Sequence, residues 1–300
     1  MSKPWGIANI PPLKDRVAVV TGANRGLGLE ISAALAAAGA LVVMACRDPA
    51  RAETALAEVR RRAPAAQLEA APLDLGDLAS VRRFAEDFTR RHRRLDILCN
   101  NASAILVPRG KTKDGFETHI GTNHLGAFAL TGLLIGPLLA APAARVVNTS
   151  SLAHRLTRGL DLDDLNYDRS AYKDMDAYGR SKLAALLFTF ELARRLQQAQ
   201  LSALALAAHP GYTATNLNLG GFFMRASTRL FAQAPAQGAL PALYAATAPA
   251  PRNGGYFGPG GFKELKGPPV EVDCRPEARD PVLARKLWDL SQQLTGVRWL

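Results

Sequence analysis

The chain has 300 residues, 48% of them hydrophobic, and a formal net charge of +11. That length and apolar content allow one large α/β domain or two smaller ones and exclude global disorder. Three cysteines, Cys46, Cys99 and Cys274, form no CxxC pair and no His/Cys cluster at metal-ligand spacing, so neither a disulfide framework nor a metal site is expected, and a reducing, cytoplasmic setting is.

Strand and helix signals then alternate along the chain. Met1-Ser2-Lys3-Pro4-Trp5-Gly6-Ile7 lacks the apolar core of a signal peptide. Residues 16–21, with Val17-Ala18-Val19-Val20 inside, are predicted as a short buried strand. Residues 27–38 are alanine-rich and helical, closed by Gly39. A strand at 40–46 leads to a helix at 49–62, with Pro49 in its first turn. Residues 68–73 are a third strand. Residues 78–91 are an amphipathic helix with Val81, Phe84, Ala85 and Phe88 on one side. Residues 95–99 are a fourth strand. A long helix is predicted around 115–139, a strand at 145–149, a helix at 177–197 and a strand at 201–208.

Residues 211–235 break the alternation. They mix Gly220-Gly221 with Phe222, Phe223, Met224, Leu230 and Phe231 and are expected to form a substrate lid, with core or dimer packing as the competing reading. A Gly/Pro-rich stretch at 254–269 follows, then a helix at 280–294. Strands separated by helices require a parallel sheet covered on both faces, and no linker or repeat divides the chain, so a single domain is expected.

Much of the positive charge lies in Arg60-Arg61-Arg62 and Arg90-Arg91-His92-Arg93-Arg94, at predicted helix ends where cations favour the dipole. No nucleic-acid-binding motif accompanies them, and no nucleic-acid partner is expected. Residues 126–144 carry no charge and approach spanning length, but Gly132, Gly136, Pro137 and Pro142 favour a buried helix ending near Pro137 over a membrane span.

Three constellations carry chemistry. Gly22, Gly26 and Gly28 follow a strand and open a helix, where missing Cβ atoms and helical N–H groups suit a pyrophosphate. The spacing is GxxxGxG, and a ligand-free glycine turn is the competing reading. The second strand closes as Ala45-Cys46-Arg47-Asp48, where Arg47 and Arg25 suit a 2′-phosphate. That favours NADP(H), with NAD(H) the alternative because of Asp48. Tyr178 and Lys182 share a helix face, and an ammonium near the phenol lowers its pKa toward use as an acid/base. Ser150 or Ser151, at a strand end, offers a hydroxyl to a substrate oxygen or a turn cap.

The set formed by Thr21-Gly22-Ala23-Asn24-Arg25-Gly26-Leu27-Gly28, Leu73-Asp74-Leu75, Asn100-Asn101-Ala102, Asn123-His124-Leu125-Gly126, Val147-Asn148-Thr149-Ser150-Ser151, Tyr178 with Lys182, and His209-Pro210-Gly211 resembles the short-chain dehydrogenase/reductase family. The resemblance is to its retinol dehydrogenase-like branch and covers nearly the whole chain. It implies a Rossmann-type doubly wound parallel sheet and an NAD(P)-dependent oxidoreductase acting on a carbonyl or alcohol. It places Gly22, Asn24, Arg25, Gly26, Leu27, Gly28, Arg47, Asp74, Leu75, Asn101 and Ala102 on the cofactor, with Pro210, Gly211 and Thr213 flanking the nicotinamide. Lys182 binds ribose, Ser151 is the catalytic serine, and Asn123 holds a water in a relay to Lys182.

Ser103 departs from the family's usual glycine, a tolerated change in which the side chain either crowds the cofactor or turns outward. The long gap from Ser151 to Tyr178, with Asp161-Leu162-Asp163-Asp164-Leu165-Asn166-Tyr167, is expected to shape the substrate entrance. Among the histidines, His209 is expected to be structural and His154 is a candidate substrate contact. The resemblance also implies homo-oligomers. A lipophilic carbonyl or alcohol substrate is expected from the Phe222, Phe223 and Met224 loop. A non-catalytic dinucleotide-binding regulator is the rival, and the complete Ser/Tyr/Lys set counts against it.

Overall fold

The computed structural model describes residues 4–213 and 233–300. The expected lid, including Phe222, Phe223 and Met224, lies almost wholly outside the described residues. The first half alternates β1 (Val17–Thr21), α1 (Gly26–Ala37), β2 (Leu41–Cys46), α2 (Pro49–Arg62), β3 (Gln67–Pro72), α3 (Leu78–Arg91) and β4 (Ile97–Asn100). Local chemistry sets these boundaries. The Asp48 carboxylate accepts from Arg51 N and Pro49 opens α2, while the Asp77 carboxylate caps α3 through Ala79 N and Ser80 N.

The second half contains α4 (Thr118–Ile120), α5 (Gly126–Leu133), α6 (Ile135–Leu139), β5 (Arg145–Thr149), α7 (Asp174–Gln198), β6 (Leu204–Ala208), α8 (Pro235–Gly238), α9 (Leu240–Thr247), β7 (Tyr256–Pro259), β8 (Pro269–Glu271) and α10 (Pro281–Thr295). The single long helix expected at 115–139 is therefore broken twice. A wide turn, Gly121–Leu125, joins α4 to α5, and in it the Gly126 amide reaches back to the Gly121 carbonyl. The second break is Leu134, at φ −96 and ψ 8. Pro137 explains its place: a proline ring crowds the carbonyl four residues earlier, here Leu133.

Eight strands form one sheet in the order β3-β2-β1-β4-β5-β6-β7-β8. Every pairing from β3 to β7 is parallel, and β8 runs antiparallel to β7. β7 and the first residue of β8 lie in the Gly/Pro-rich stretch 254–269, which carries no strand signal in the sequence. Side chains alternate between two cores. Val19, Val43, Phe84, Phe88, Phe128, Phe188 and Trp288 pack on one face; Val20, Val42, Met44, Ile31, Leu35, Val59 and Leu243 pack on the other. The strand order reverses between β1 and β4, and a crevice opens at such a point beyond the strand ends.

At the opposite end of that strand pair, Asp96 is 3% exposed. It accepts from Arg16 at 2.7 Å, from Val17 N at 2.9 Å and from both ends of the Arg94 guanidinium at 3.0 and 2.8 Å. Burial pushes its carboxyl upward, but these bonds outweigh burial and hold it below the ordinary aspartate value. A depressed carboxyl stabilises the fold above the unfolded pKa of about 4 and loses that contribution as pH falls through its folded value. Asp96→Ala is expected to lower unfolding free energy in urea by roughly 2–3 kcal/mol near neutrality. The difference from the unmodified chain should shrink on acidification below about pH 4.

Candidate active site

The crevice is built on Thr21. Its hydroxyl donates to Cys99 O at 3.3 Å and accepts from Asn101 N at 3.0 Å and Ala102 N at 2.9 Å. Asn101 Nδ2 donates back to Thr21 O at 2.9 Å. Strand ends this close leave no room for a side chain at Gly22 or at Gly28. Gly22 takes φ 66 with Ala102 packed against it, and a methyl at Gly28 would collide with Gly22 O and stand 2.7 Å from Asn101 Nδ2. The α1 N-terminus therefore opens onto a cleft of about 650 Å³, a volume suited to a small-molecule cofactor. Gly22, Asn24, Arg25, Gly26, Leu27, Gly28, Arg47, Asp74, Leu75, Asn101 and Ala102 all line it. The residues present fit a nicotinamide dinucleotide.

Arg51 also lines the cleft and was not singled out from the sequence. Its Nε lies 3.2 Å from Asp48 Oδ2, and its amide donates to the other oxygen of the same carboxylate at 3.2 Å. Asp48 is thus committed to capping α2 and to Arg51. Arg25 and Arg47, both exposed, line the cleft as well.

The catalytic candidates adjoin the cleft where its lining residue Ser103 meets Lys182. Of the two serines, Ser150 is turned away: its hydroxyl donates to Lys182 O at 2.9 Å. Ser151 caps the short helix Leu152–Arg155 through Ala153 N, so the cap reading and the site reading describe one residue. Burial pushes the Tyr178 phenol upward, while the Ser151 hydroxyl facing it pulls the other way. The lowering expected from Lys182 does not prevail, because the phenol's loss of solvent dominates. Lys182 is 1% exposed, and its ammonium donates to Ser103 Oγ at 2.6 Å and Thr149 O at 2.9 Å. Burial lowers its pKa to about 7, and Nζ lies 5.6 Å from the Tyr178 ring centroid.

Ser103 lines the cleft and turns its hydroxyl onto Lys182. Asn123, on the wide turn, makes no direct bond to Lys182. Its Nδ2 donates to Ala104 O and Ser181 Oγ, both at 2.9 Å, and its Oδ1 accepts from Ala104 N at 2.7 Å. Pro210 lines a small adjoining cavity with Leu27 and Asn101. His154 is fully buried, with Nδ1 on Ser151 O at 2.6 Å and Nε2 accepting from Arg275 N at 3.3 Å, so it cannot touch substrate. Burial lowers its pKa to about 4. His209 is structural: it bonds Glu264 at 3.0 Å and accepts from Gly211 N at 3.2 Å.

The 161–167 gap segment is a packed prop. Tyr167 is 2% exposed and donates to Asp176 at 2.9 Å, while Asp164 accepts from Arg169 N, Ser170 N and the Ser170 hydroxyl. A second buried group escaped the sequence reading. The Glu117 carboxylate pairs with the His119 ring at 2.7 Å and accepts from Tyr172 at 3.1 Å. The His119 ring stands edge-on to Tyr178, 6.1 Å between centroids. Its signal in the sequence was only Glu117 and His119 two positions apart in a helical run.

A doubly wound sheet with a glycine cradle at its switch point and a Ser/Tyr/Lys cluster at the strand ends defines a nicotinamide-dependent oxidoreductase. The short chain dehydrogenase family model matches residues 16–160. Retinol dehydrogenase 12 of Mus musculus is 40% identical over 297 residues, covering 96% of this chain and 88% of that protein. Retinol dehydrogenase 13 of Homo sapiens is 39% identical over 301 residues, covering 97% and 86%. Among solved structures, an uncharacterized protein from Mycobacterium paratuberculosis is 41% identical, with TM-score 0.83 over 99% of this chain and 100% of that one. A protein described as an NAD(P) dependent gluconate 5-dehydrogenase from Beutenbergia cavernae, with NADP bound at low occupancy, is 26% identical, with TM-score 0.62 over 78% and 90%. The chain belongs to the short-chain dehydrogenase/reductase family, in its retinol dehydrogenase-like group, and is an oxidoreductase acting on CH–OH and C=O groups.

Because a Cβ at Gly28 has no free space, Gly28→Ala is expected to weaken dinucleotide binding at least roughly tenfold, read by tryptophan fluorescence quenching. Unchanged affinity would mean that the turn yields and the cradle does not depend on it.

Proposed function

We propose that this chain is an NADP(H)-dependent oxidoreductase that interconverts a lipophilic aldehyde or ketone with its alcohol. The NADP(H) preference is carried by one observation: Arg25, Arg47 and Arg51 line the cleft where the acidic Asp48 is already held by Arg51 and the α2 N-terminus. A carboxylate so engaged competes poorly for a ribose 2′-hydroxyl, whereas guanidinium groups suit a 2′-phosphate. The lipophilic substrate rests on the retinol dehydrogenase relatives and on exposed apolar side chains flanking the catalytic cluster. Met175, 43% exposed, precedes Tyr178 by three positions on α7, and Leu156, 66% exposed, follows the Ser151 turn.

A bound nicotinamide supplies the hydride in reduction and takes it up in oxidation. Ser151 donates a hydrogen bond to the substrate oxygen and orients it. Tyr178 gives its phenolic proton to the developing alkoxide, and in the reverse direction its phenolate receives one. The Lys182 ammonium favours that phenolate and opposes the rise that burial imposes on Tyr178. Asp74, Leu75, Asn101 and Ala102 form the cofactor-facing wall. Asn123 holds the 104 segment and the Ser181 turn of α7 in place. A reducing, cytoplasmic setting is proposed from the sparse, odd set of cysteines in the sequence. No helix among the described residues is long and apolar enough to cross a membrane.

Tyr178→Phe is expected to lower kcat on a carbonyl panel by at least roughly 10²-fold and leave NADPH affinity unchanged. Full activity in that variant would remove Tyr178 from the chemistry. Arg47→Ala is expected to raise the KM for NADPH by about tenfold and leave that for NADH nearly unaltered. Equal losses with both coenzymes would contradict the assigned preference. For the substrate class, kcat/KM should rise along a series of increasingly long aldehydes.

A further inference from the structure

Ser103 is the residue that joins the dinucleotide cleft to the catalytic cluster. It lines the cleft, and its hydroxyl accepts from Lys182 Nζ at 2.6 Å. The other bond from that ammonium goes to the Thr149 carbonyl. Lys182 is 1% exposed and forms no ion pair among the described residues. The titratable groups around it are Tyr178 on its own helix, the Glu117–His119 pair behind that phenol, and His154 behind Ser151. A buried ammonium without a counter-charge reverts to the neutral amine unless hydrogen-bond acceptors hold it. Thr149 offers a backbone oxygen and Ser103 the side-chain one. Asn123 is committed to Ala104 and Ser181.

We propose that Ser103 is a positioning residue that keeps Lys182 in its ammonium form and directs it along the wall of the dinucleotide cleft, a task that glycine at this position cannot perform. An oxygen that accepts from an ammonium turns its own proton elsewhere, so Ser103 holds Lys182 without competing for its charge. The coenzyme part of this inference rests on the proposed function; the effect on Lys182 is a property of the chain itself.

The test is a titration of the full-length protein carrying ¹³Cε-lysine, with the Lys182 resonance identified by its loss in Lys182→Arg. Burial sets that group at about 7. In Ser103→Ala the midpoint should fall by about one pH unit, the worth of a hydrogen bond to a charged group. Ser103→Thr, which keeps the hydroxyl, should restore it. NADPH affinity, followed calorimetrically across the same pH range, should begin to weaken about one pH unit lower in Ser103→Ala than in the unmodified chain. An unchanged midpoint in Ser103→Ala overturns the proposal. So does a shift that Ser103→Thr leaves uncorrected, since packing alone would then explain it. If the unmodified chain binds neither NADPH nor NADH, the proposed function fails, while the lysine titration still decides the role of Ser103.

Discussion

The structure turns on how closely the ends of β1 and β4 approach each other. A single hydroxyl, that of Thr21, gathers the backbone of Cys99, Asn101 and Ala102 around one oxygen. That contact presses Ala102 onto Gly22 and so forces the glycine turn. It also pins the four residues after β4 along the cleft wall. From there Ser103 meets Lys182, and Ala104 meets Asn123. The cradle for the dinucleotide and the scaffold for proton transfer are therefore two sides of one short segment. Neither can shift without the other.

Dryness does the electrostatic work. Loss of solvent raises the Tyr178 phenol and lowers the Lys182 ammonium. The lysine, ordinarily just above the tyrosine, is carried below it, because burial disfavours the charged form of each. The same dryness keeps His154 neutral, with its ring bonded to the Ser151 carbonyl and to the Arg275 amide. A neutral imidazole under Ser151 adds rigidity without adding charge to the site.

Most of the fold was legible because its signals are local. The predicted helices at 49–62 and 78–91 coincide with α2 and α3, whose ends are written in Asp48-Pro49 and Asp77. Periodicity failed at 115–139 because the apolar pattern continues through both breaks; Gly121 to Leu125 carries no local mark of a wide turn. β7 and β8 were hidden by their own glycines and prolines, residues that read as loop but are tolerated near a sheet edge. Within the site, the glycines and the Tyr178–Lys182 pair are legible from spacing, while Asp74, Asn101 and Ala102 are reached only through the family resemblance. The partners of Ser103, Asn123 and His154 are not legible there, since each depends on contacts between segments far apart in the chain. Arg51 carries no distinguishing mark in the sequence, because helix-surface arginines are common and only the fold shows this one beside Asp48 in the cleft.

The wide turn Gly121–Leu125 has a consequence for length variation. An α-helix advances about 100° per residue, so an extra residue looped out at this point rotates everything beyond it by that angle. Phe128 owes its place among Phe188, Trp288 and Trp299 to that offset. Asn123 owes its place to the bulge itself. Removing one residue from this stretch to restore a regular helix would swing Phe128 out of its aromatic nest and the amide of Asn123 away from Ala104. The residue count of the segment is locked.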